Sequence, residues 1–508
     1  MLLPPVYLGI RAFGGEAALW DLLATTRTLG IIWRTVLLII IVTGLSIALA
    51  VPLAWLTERT DIPLRGVLGV LTALPLVMPS YVYALVVVIA LGPKGMVQGW
   101  LEPLGVDRLP EVFGLPGAAF TLVVLSYPYV LLPVRAALAR MDPGLEEASR
   151  SLGRPRSATF VLVTLPLLRP AIVAGGLLVA LYTLSDFGAV SLLRYQTFTW
   201  SIFIQYDSAF DRTLAAGLSL VLVGIALTLL FVESFTRGRS TYHRVTPGTA
   251  RRASLVRLGA WRYPAAGFVW TVVSIALFAP LAVLMYWVVR GVSAGEPLDT
   301  LWTAGRNSLY VSGLAAGAAA VAAVPVAVLS VRFPGLLSAA IERLTFVGFA
   351  LPGMAVALAF VFFASAYAAP LYQTLLLLVL AYMVLFLPAA VGATQASLRQ
   401  VSPRLEEVAR GLGRTPMLAF VSVTLPLLYR GVAAGAALVF LLAMKELPAT
   451  LILSPIGFKT LATAIWSASE EAFFARAAAP ALLLVLVASV PLALMEVRRS
   501  RGASAMQK

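Results

Sequence analysis

Residues 142–170 read DPGLEEASRSLGRPRSATFVLVTLPLLRP, and residues 402–430 read SPRLEEVARGLGRTPMLAFVSVTLPLLYR. The second stretch lies 260 residues after the first, and 16 of the 29 aligned positions are identical. A shared apolar composition could account for the leucines and valines, but not for LEE, LGR and TLPLL in one register. Because internal repetition marks a structural unit that occurs more than once, the sequence predicts a chain built from two related halves.

Long apolar segments surround both copies of this repeat. Of the 508 residues, 60% are hydrophobic and 12% are charged, whereas soluble domains carry about 25% charged residues. A helix needs roughly 20 apolar residues to cross the hydrocarbon core, and in lipid its backbone groups must be paired within the segment. Eleven stretches reach about that length: 31–55, 67–92, 118–138, 168–190, 214–235, 265–290, 306–331, 344–367, 372–393, 427–446 and 479–497. The sequence therefore predicts an all-α polytopic membrane protein with two pseudo-symmetric halves of about six transmembrane helices each.

Residues 2–12 suggest how a twelfth span fits this scheme. They resemble the end of segment 265–290 and are followed by a similar polar loop. They are too few to cross a bilayer. We therefore expect a first helix that is truncated at its start.

The basic residues alternate between the two sides of the membrane. Of the 38 Lys and Arg residues, 24 fall in or beside alternate loops on one side, and 8 fall in the loops between them. Short loops rich in Lys and Arg face the cytoplasm. The bias predicts a multi-pass protein of the bacterial inner membrane, and it explains the net charge of +15 without a nucleic-acid partner.

The predicted domains follow the repeat. Residues 1–235 are predicted to form the first transmembrane half, with its loop at 142–170, and residues 264–508 the second, with its loop at 402–430. Between them, residues 236–263 form an Arg-rich cytoplasmic linker.

Each copy of the repeat predicts a short helix with defined ends. Asp142 and Ser402 are good N-caps because their side-chain oxygens can accept hydrogen bonds from the first turn. Pro143 and Pro403 follow at the first helical position, where a missing N–H costs nothing.

Four glutamates fall early in these helices, where the helix dipole favours negative charge: Glu146, Glu147, Glu406 and Glu407. Gly153 and Gly413 are expected to end the helices in the left-handed conformation. A second helix should follow each turn and be interrupted at Pro166 or Pro426.

The repeat resembles the EAA coupling motif of ABC importer permeases. The first copy carries it at Glu147, Ala148, Ser149, Gly153, Leu165 and Pro166, and the second at Glu407, Val408, Ala409, Gly413, Leu425 and Pro426. Ser149 and Val408 stand where the family usually has alanine.

The resemblance implies a role for this loop and a set of partners. In that family the loop packs into a groove on a cytoplasmic ATPase subunit. The resemblance therefore implies that Glu147 and Glu407 contact the ATPase and that Gly153 and Gly413 supply the turns. The same coupling surface would include Glu146, Ala148, Glu406 and Ala409. The chain has no phosphate-binding GxxxxGK[ST] loop, so the ATPase should be a separate subunit, in two copies. A periplasmic substrate-binding protein is the other expected partner, and no cofactor is expected.

The cargo is suggested by two further stretches. Residues 184–212 and 444–478 look like the corresponding parts of ferric-iron permeases, which are also fused two-half chains. Thiamine permeases and some polyamine permeases share much of this pattern. Ferric iron is therefore the first expectation, and thiamine or a polyamine the alternatives.

Two other classes of function are weighed against an ABC permease. A secondary transporter with two repeated halves would need intramembrane charges for ion coupling, and few charges lie within these spans. It would also have no use for a paired cytoplasmic loop. A membrane enzyme is disfavoured because the chain has no cysteine and one histidine, so we predict no catalytic residue and no firm metal site.

A cargo path is suggested by two acids at equivalent places. Asp186 aligns with Glu446 at the same offset, each at the end of the span that follows a repeated loop. Oxygen ligands suit hard cations, so these two acids and Tyr182 are candidates for the translocation path. Alternatively, Asp186 caps a local turn and Glu446 pairs with Lys445.

Overall fold

The computed structural model describes residues 3–13, 25–209, 212–236, 255–297, 299–348 and 351–505. Within those ranges the chain is mostly helical, and its β-type pairing is one isolated bridge between Thr60 and Val256. Together with the apolar spans below, this confirms the predicted all-α polytopic fold.

The helices fall into two series along the chain. The first series comprises α1 (Leu3–Phe13), α2 (Thr26–Arg59), α3 (Arg65–Leu71), α4 (Ser80–Leu91), α5 (Met96–Leu101), α6 (Leu115–Arg140), α7 (Pro143–Ser151), α8 (Arg156–Thr159), α9 (Leu165–Ser185), α10 (Gly188–Leu192), α11 (Phe198–Asp207) and α12 (Arg212–Thr236). The second series comprises α13 (Arg262–Val273), α14 (Ala279–Ser293), α15 (Asp299–Arg332), α16 (Leu336–Val347), α17 (Gly353–Tyr367), α18 (Leu375–Leu398), α19 (Arg404–Gly411), α20 (Pro416–Ala419), α21 (Leu425–Met444), α22 (Pro448–Leu453), α23 (Leu461–Glu470) and α24 (Phe474–Ala505).

Nine helices among the described residues are long and apolar enough to cross a membrane. They account for nine of the eleven predicted spans. The other two predicted spans correspond to shorter apolar helices. Segment 344–367 contains the 15-residue α17, and segment 479–497 lies within α24.

Two predicted spans are broken just before a proline-capped helix rather than continuous, which corrects the sequence interpretation. Segment 67–92 contains α3, a 3-10 turn at Leu74–Val77, and then α4, whose N-cap is Pro79. Segment 344–367 contains the end of α16 and then α17, whose N-cap is Pro352. A proline disfavours the helical conformation of the residue before it. In both segments the new helix therefore starts directly after the proline.

The described residues form two compact units. The first unit draws on Thr25–Trp200 and Gly224–Trp287, and the second on Met1–Ala24, Ser201–Val223 and Val288–Lys508. Each unit thus includes described residues from both sequence halves. The domain boundaries at 235 and 264 remain a prediction, and residues 237–254 of the predicted linker lie outside the described part of the chain.

Three long helices pack together in the first unit: α2, α6 and α9. The close approach of α9 to α6 depends on Gly175. A Cβ atom built there would lie 2.6 Å from the Cα atom of Val130. Small residues allow membrane helices to approach closely enough for van der Waals packing.

The second unit repeats this packing with α15, α18 and α21. Gly435 of α21 takes the place of Gly175, and a Cβ atom there would lie 3.0 Å from the Cα atom of Ala390. Small side chains of α15 complete the contact, since Ala319 and Ala323 are fully buried in it. Both units therefore present a three-helix core to which the repeated loop is attached.

Candidate coupling site

The two repeated helices, α7 and α19, begin differently. In the first copy, the Asp142 side chain accepts a hydrogen bond from the Gly144 N–H at 3.0 Å, with Pro143 at the first helical position. This confirms the predicted cap. The second helix begins at Arg404 with Pro403 as its N-cap, so the cap predicted at Ser402 is wrong.

Both helices end in the predicted glycine turn. Gly153 has a φ of +82° and Gly413 a φ of +85°, the left-handed region that glycine adopts without penalty. In the first copy, Gly153 N–H donates to the Arg150 carbonyl and Arg154 N–H to the Ser149 carbonyl.

The same two hydrogen bonds recur in the second copy, from Gly413 to Arg410 and from Arg414 to Ala409. These are the paired bonds of a Schellman motif. The turn is therefore a fixed part of both loops.

The predicted interruption before each proline takes the form of a wide helical turn. Phe160–Thr164 and Phe420–Thr424 are π-helical, and α9 and α21 start directly after them with Pro166 and Pro426 in their first turns. A π-turn inside an α-helix is rare and is often found at functional sites. Its recurrence at equivalent positions indicates a built feature of the repeat.

The first glutamate of each Glu-Glu pair points into the protein. Thr164 Oγ1, at the end of the π-turn, donates to Glu146 Oε1 at 2.8 Å, and Arg59 Nη2 lies 3.8 Å from the same oxygen. The Arg59 side chain is 6% exposed and that of Glu146 is 24% exposed. We call Arg59, Glu146 and Thr164 the first bracket, because Glu146 connects α7 to the end of α2 and to the π-turn.

The second copy has the same arrangement. Thr424 Oγ1 donates to Glu406 Oε1, and Arg332 Nη2 lies 3.6 Å from that oxygen. Arg332 also donates to the Val401 carbonyl at 3.0 Å, just before α19. Arg332, Glu406 and Thr424 form the second bracket. Arg59 and Arg332 are the last residues of α2 and α15, so the brackets are equivalent.

The second glutamate of each pair is exposed to solvent. Glu147 and Ala148 are exposed, as are Glu407 and Val408, whereas the next residue in each copy is buried. That buried residue is Ser149, 6% exposed, in the first copy and Ala409, 7% exposed, in the second.

An apolar side chain is also left exposed at the end of each helix. Leu152 is 80% exposed and Leu412 is 81% exposed. Both copies of the repeat therefore leave an acid and a leucine exposed at equivalent positions.

The first loop has a neighbour from the linker. Val256 N–H donates to the Arg59 carbonyl at 2.8 Å, and Leu258 N–H donates to the Asp61 carboxylate at 2.9 Å. A cavity of about 650 Å³ lies between this linker end and the loop, lined in part by Trp55, Glu147 and Trp261.

The acids predicted for a cargo path cap short helices. The Asp186 carboxylate accepts from Ala189 N–H at 2.9 Å, at the start of α10, and the Glu446 carboxylate accepts from Ala449 N–H at 3.1 Å, at the start of α22. Both are N-cap-type contacts. Asp186 lies in the first unit and Glu446 in the second.

Tyr182 lies beside Asp186 in the first unit. Its ring centroid is 5.4 Å from that of Tyr129. The assignment of Tyr182, Asp186 and Glu446 to a translocation path remains a prediction.

Comparison with known proteins identifies the family of this chain. A family described as "Binding-protein-dependent transport system inner membrane component" matches residues 41–240 and 315–501, and each range contains one coupling loop. The chain belongs to this family. As a member, it is a multi-pass permease of the inner membrane that operates in a binding-protein-dependent transport system.

Two relatives illustrate how the permease compares in length. The Fe(3+)-transport system permease protein FbpB 2 of Haemophilus influenzae is 36% identical over 501 residues, which are 98% of this chain and 95% of that protein. The molybdenum transport system permease protein ModB of Escherichia coli is 29% identical over 219 residues, which are 40% of this chain and 92% of that protein.

Among solved structures, a bacterial alginate ABC transporter, in complex with an alginate-bound periplasmic protein, aligns with a TM-score of 0.40 at 18% identity. The alignment covers 48% of this chain and 90% of that chain.

Proposed function

We propose that this permease imports ferric iron. The supporting observation is its 36% identity to an Fe(3+)-transport permease over 98% of its length. That similarity extends across both coupling loops, both broken spans and the capped turns at Asp186 and Glu446. Relatives named for molybdenum or sulfate transport align with less than half of the chain.

We further propose that a separate cytoplasmic ATPase binds to each coupling helix, so that two copies serve one permease chain. The support is the pair of equivalent surfaces, each with an exposed glutamate, Glu147 or Glu407, and an exposed leucine, Leu152 or Leu412. ATP hydrolysis then belongs to the partner, and a periplasmic binding protein delivers the iron. The permease itself moves the cargo and is not an enzyme.

Uptake by reconstituted transporter tests the cargo. The permease, its ATPase and its binding protein would be placed in proteoliposomes and supplied with radioactive ferric citrate, thiamine or spermidine. ATP-dependent accumulation of iron alone is expected. Accumulation of thiamine or spermidine without iron would overturn the iron assignment while leaving the permease assignment intact.

The ATPase copy number is tested separately. Native mass spectrometry of the purified complex should give two ATPase chains for each permease chain. A complex with one ATPase chain would contradict the proposal that both coupling helices are docking sites.

A further inference from the structure

We propose that adjacent glutamates of each coupling helix have different tasks. The second glutamate, Glu147 or Glu407, binds the ATPase. The first, Glu146 or Glu406, is a positioning residue that transmits the movement of the coupling helix to the membrane helices. This inference rests on the proposed docking of an ATPase at α7 and α19.

The direction of the side chains separates the two tasks. Neighbouring residues on a helix point about 100° apart, so one glutamate of each pair can face outward while the other faces the protein. Glu147 and Glu407 are exposed, whereas Glu146 and Glu406 keep 24% and 28% of their side-chain surface accessible. A carboxylate already bonded within the bracket is poorly placed to bind a second protein.

Each bracket connects three separate pieces of the chain. In the first, Glu146 of α7 contacts Arg59 at the end of α2 and Thr164 at the end of the π-turn that leads directly into α9. α2 and α9 are two of the three helices in the core of that unit. A movement of α7 is therefore transmitted to the core through two side-chain contacts, those with Arg59 and Thr164, in addition to the covalent chain.

The charge on the glutamate is needed to hold the arginine. The Arg59 side chain is 6% exposed and that of Arg332 is 14% exposed. A buried guanidinium is costly without a nearby anion, so removing the carboxylate favours a rearrangement in which the arginine leaves its place. The helix would then remain attached to the ATPase while its link to the core becomes loose.

The presence of an equivalent bracket in each half supports a role for the bracket in coupling. Both halves contain the same three bracket residues in the same structural places. An arginine ends the long helix, a glutamate lies in the coupling helix, and a threonine ends the π-turn. A packing accident in one half has no reason to recur in the other.

Paired variants in the assembled transporter test the two tasks. Glu146→Gln with Glu406→Gln is compared with the matched control Glu147→Gln with Glu407→Gln. The measurements are ATPase co-purified per permease chain, and ATP hydrolysed per ferric ion imported in proteoliposomes. The bracket variant should keep its ATPase, while ATP consumed per ion rises about tenfold, the factor that corresponds to the loss of one hydrogen bond to a charged group. The control should lose ATPase from the complex.

A conservative variant checks that charge, rather than general damage, is responsible. Arg59→Lys with Arg332→Lys keeps the positive charge, so it should retain most of the coupling. Arg59→Gln with Arg332→Gln should behave like the glutamate variant. Equal loss in both would show that the brackets are only structural.

A structural readout that needs no cargo completes the test. The chain has no cysteine, so spin labels can be attached at Ser151→Cys in α7 and Val67→Cys in α3. The distance distribution between them should broaden in Glu146→Gln and stay narrow in Glu147→Gln. An unchanged distribution would overturn the inference, as would loss of ATPase from the bracket variant to the level of the control. Failure of wild-type transporter to import iron would overturn only the cargo, because co-purification and label distances do not depend on it.

Discussion

The first coupling helix, α7, begins with a side-chain cap from Asp142 and lies beside the end of the linker, where Val256 pairs with the end of α2. The second, α19, begins without such a cap, and Arg332 instead donates to the carbonyl of Val401 before it. Yet both helices end in the same glycine turn and connect to the core through the same bracket. What the two halves share is therefore the connection to the membrane helices, and what differs is how the start of each helix is held.

The largest effect should come from reversing the exposed charge in both halves. Glu147→Arg with Glu407→Arg places a positive charge on each proposed ATPase surface, where like-charge contact costs several kcal/mol. We expect the protein to insert normally but to lose ATPase binding and iron uptake, as measured by co-purification and transport. The single variants show whether the halves contribute equally. Normal transport by the double variant would contradict the docking proposal.

Removing the arginine of a bracket should have the next largest effect. A hydrogen bond to a charged group contributes about 1.5–3 kcal/mol, and Arg332 makes one to the Val401 carbonyl in addition to its ion pair. Arg332→Met should therefore destabilise α19 more than Arg59→Met destabilises α7.

Amide hydrogen exchange of the two helices measures this difference. Arg343→Met, in α16, serves as the control for loss of a cationic side chain elsewhere in the second unit. Equal acceleration of exchange in α7 and α19 would show that the additional bond of Arg332 contributes little.

Local features of the coupling loops could be predicted from sequence, whereas the brackets could not. Caps and glycine turns depend on residues within a few positions of one another, so Asp142 and Gly153 were identifiable. The brackets join distant residues, and the two halves do not keep one spacing: Arg59 and Arg332 are 273 residues apart, whereas Glu146 and Glu406 are 260 apart. Alignment of the repeats at a single offset therefore never pairs the two arginines.

The broken spans were missed for a different reason. Segments 67–92 and 344–367 are apolar throughout, and proline is common in membrane helices, so hydropathy alone favours one continuous span. Only the structure shows that the helix restarts after Pro79 and Pro352. The cap expected at Ser402 failed because α19 begins one residue later than α7 relative to the repeat.

A smaller effect should distinguish the two helix starts. Replacing an N-cap by alanine costs about 1 kcal/mol, so Asp142→Ala should speed amide exchange in the first turn of α7. Ser402→Ala should leave α19 almost unchanged, because Pro403 occupies the cap position. Equal responses in the two helices would mean that Ser402 caps α19 in solution.

The smallest effect should come from releasing the linker from the first loop. The Asp61 carboxylate accepts from Leu258 N–H at 2.9 Å, and this bond holds the end of the linker rather than the coupling helix. Asp61→Ala should therefore speed amide exchange at Leu258 and Val256 by a few-fold, with little change in α7, because the bracket at Glu146 does not involve the linker. Glu111→Ala, an exposed acid in the same unit, is the matched control. If α7 also exchanges faster in Asp61→Ala, the linker supports the first coupling helix, and the two halves differ in their connection to the core as well as in their helix starts.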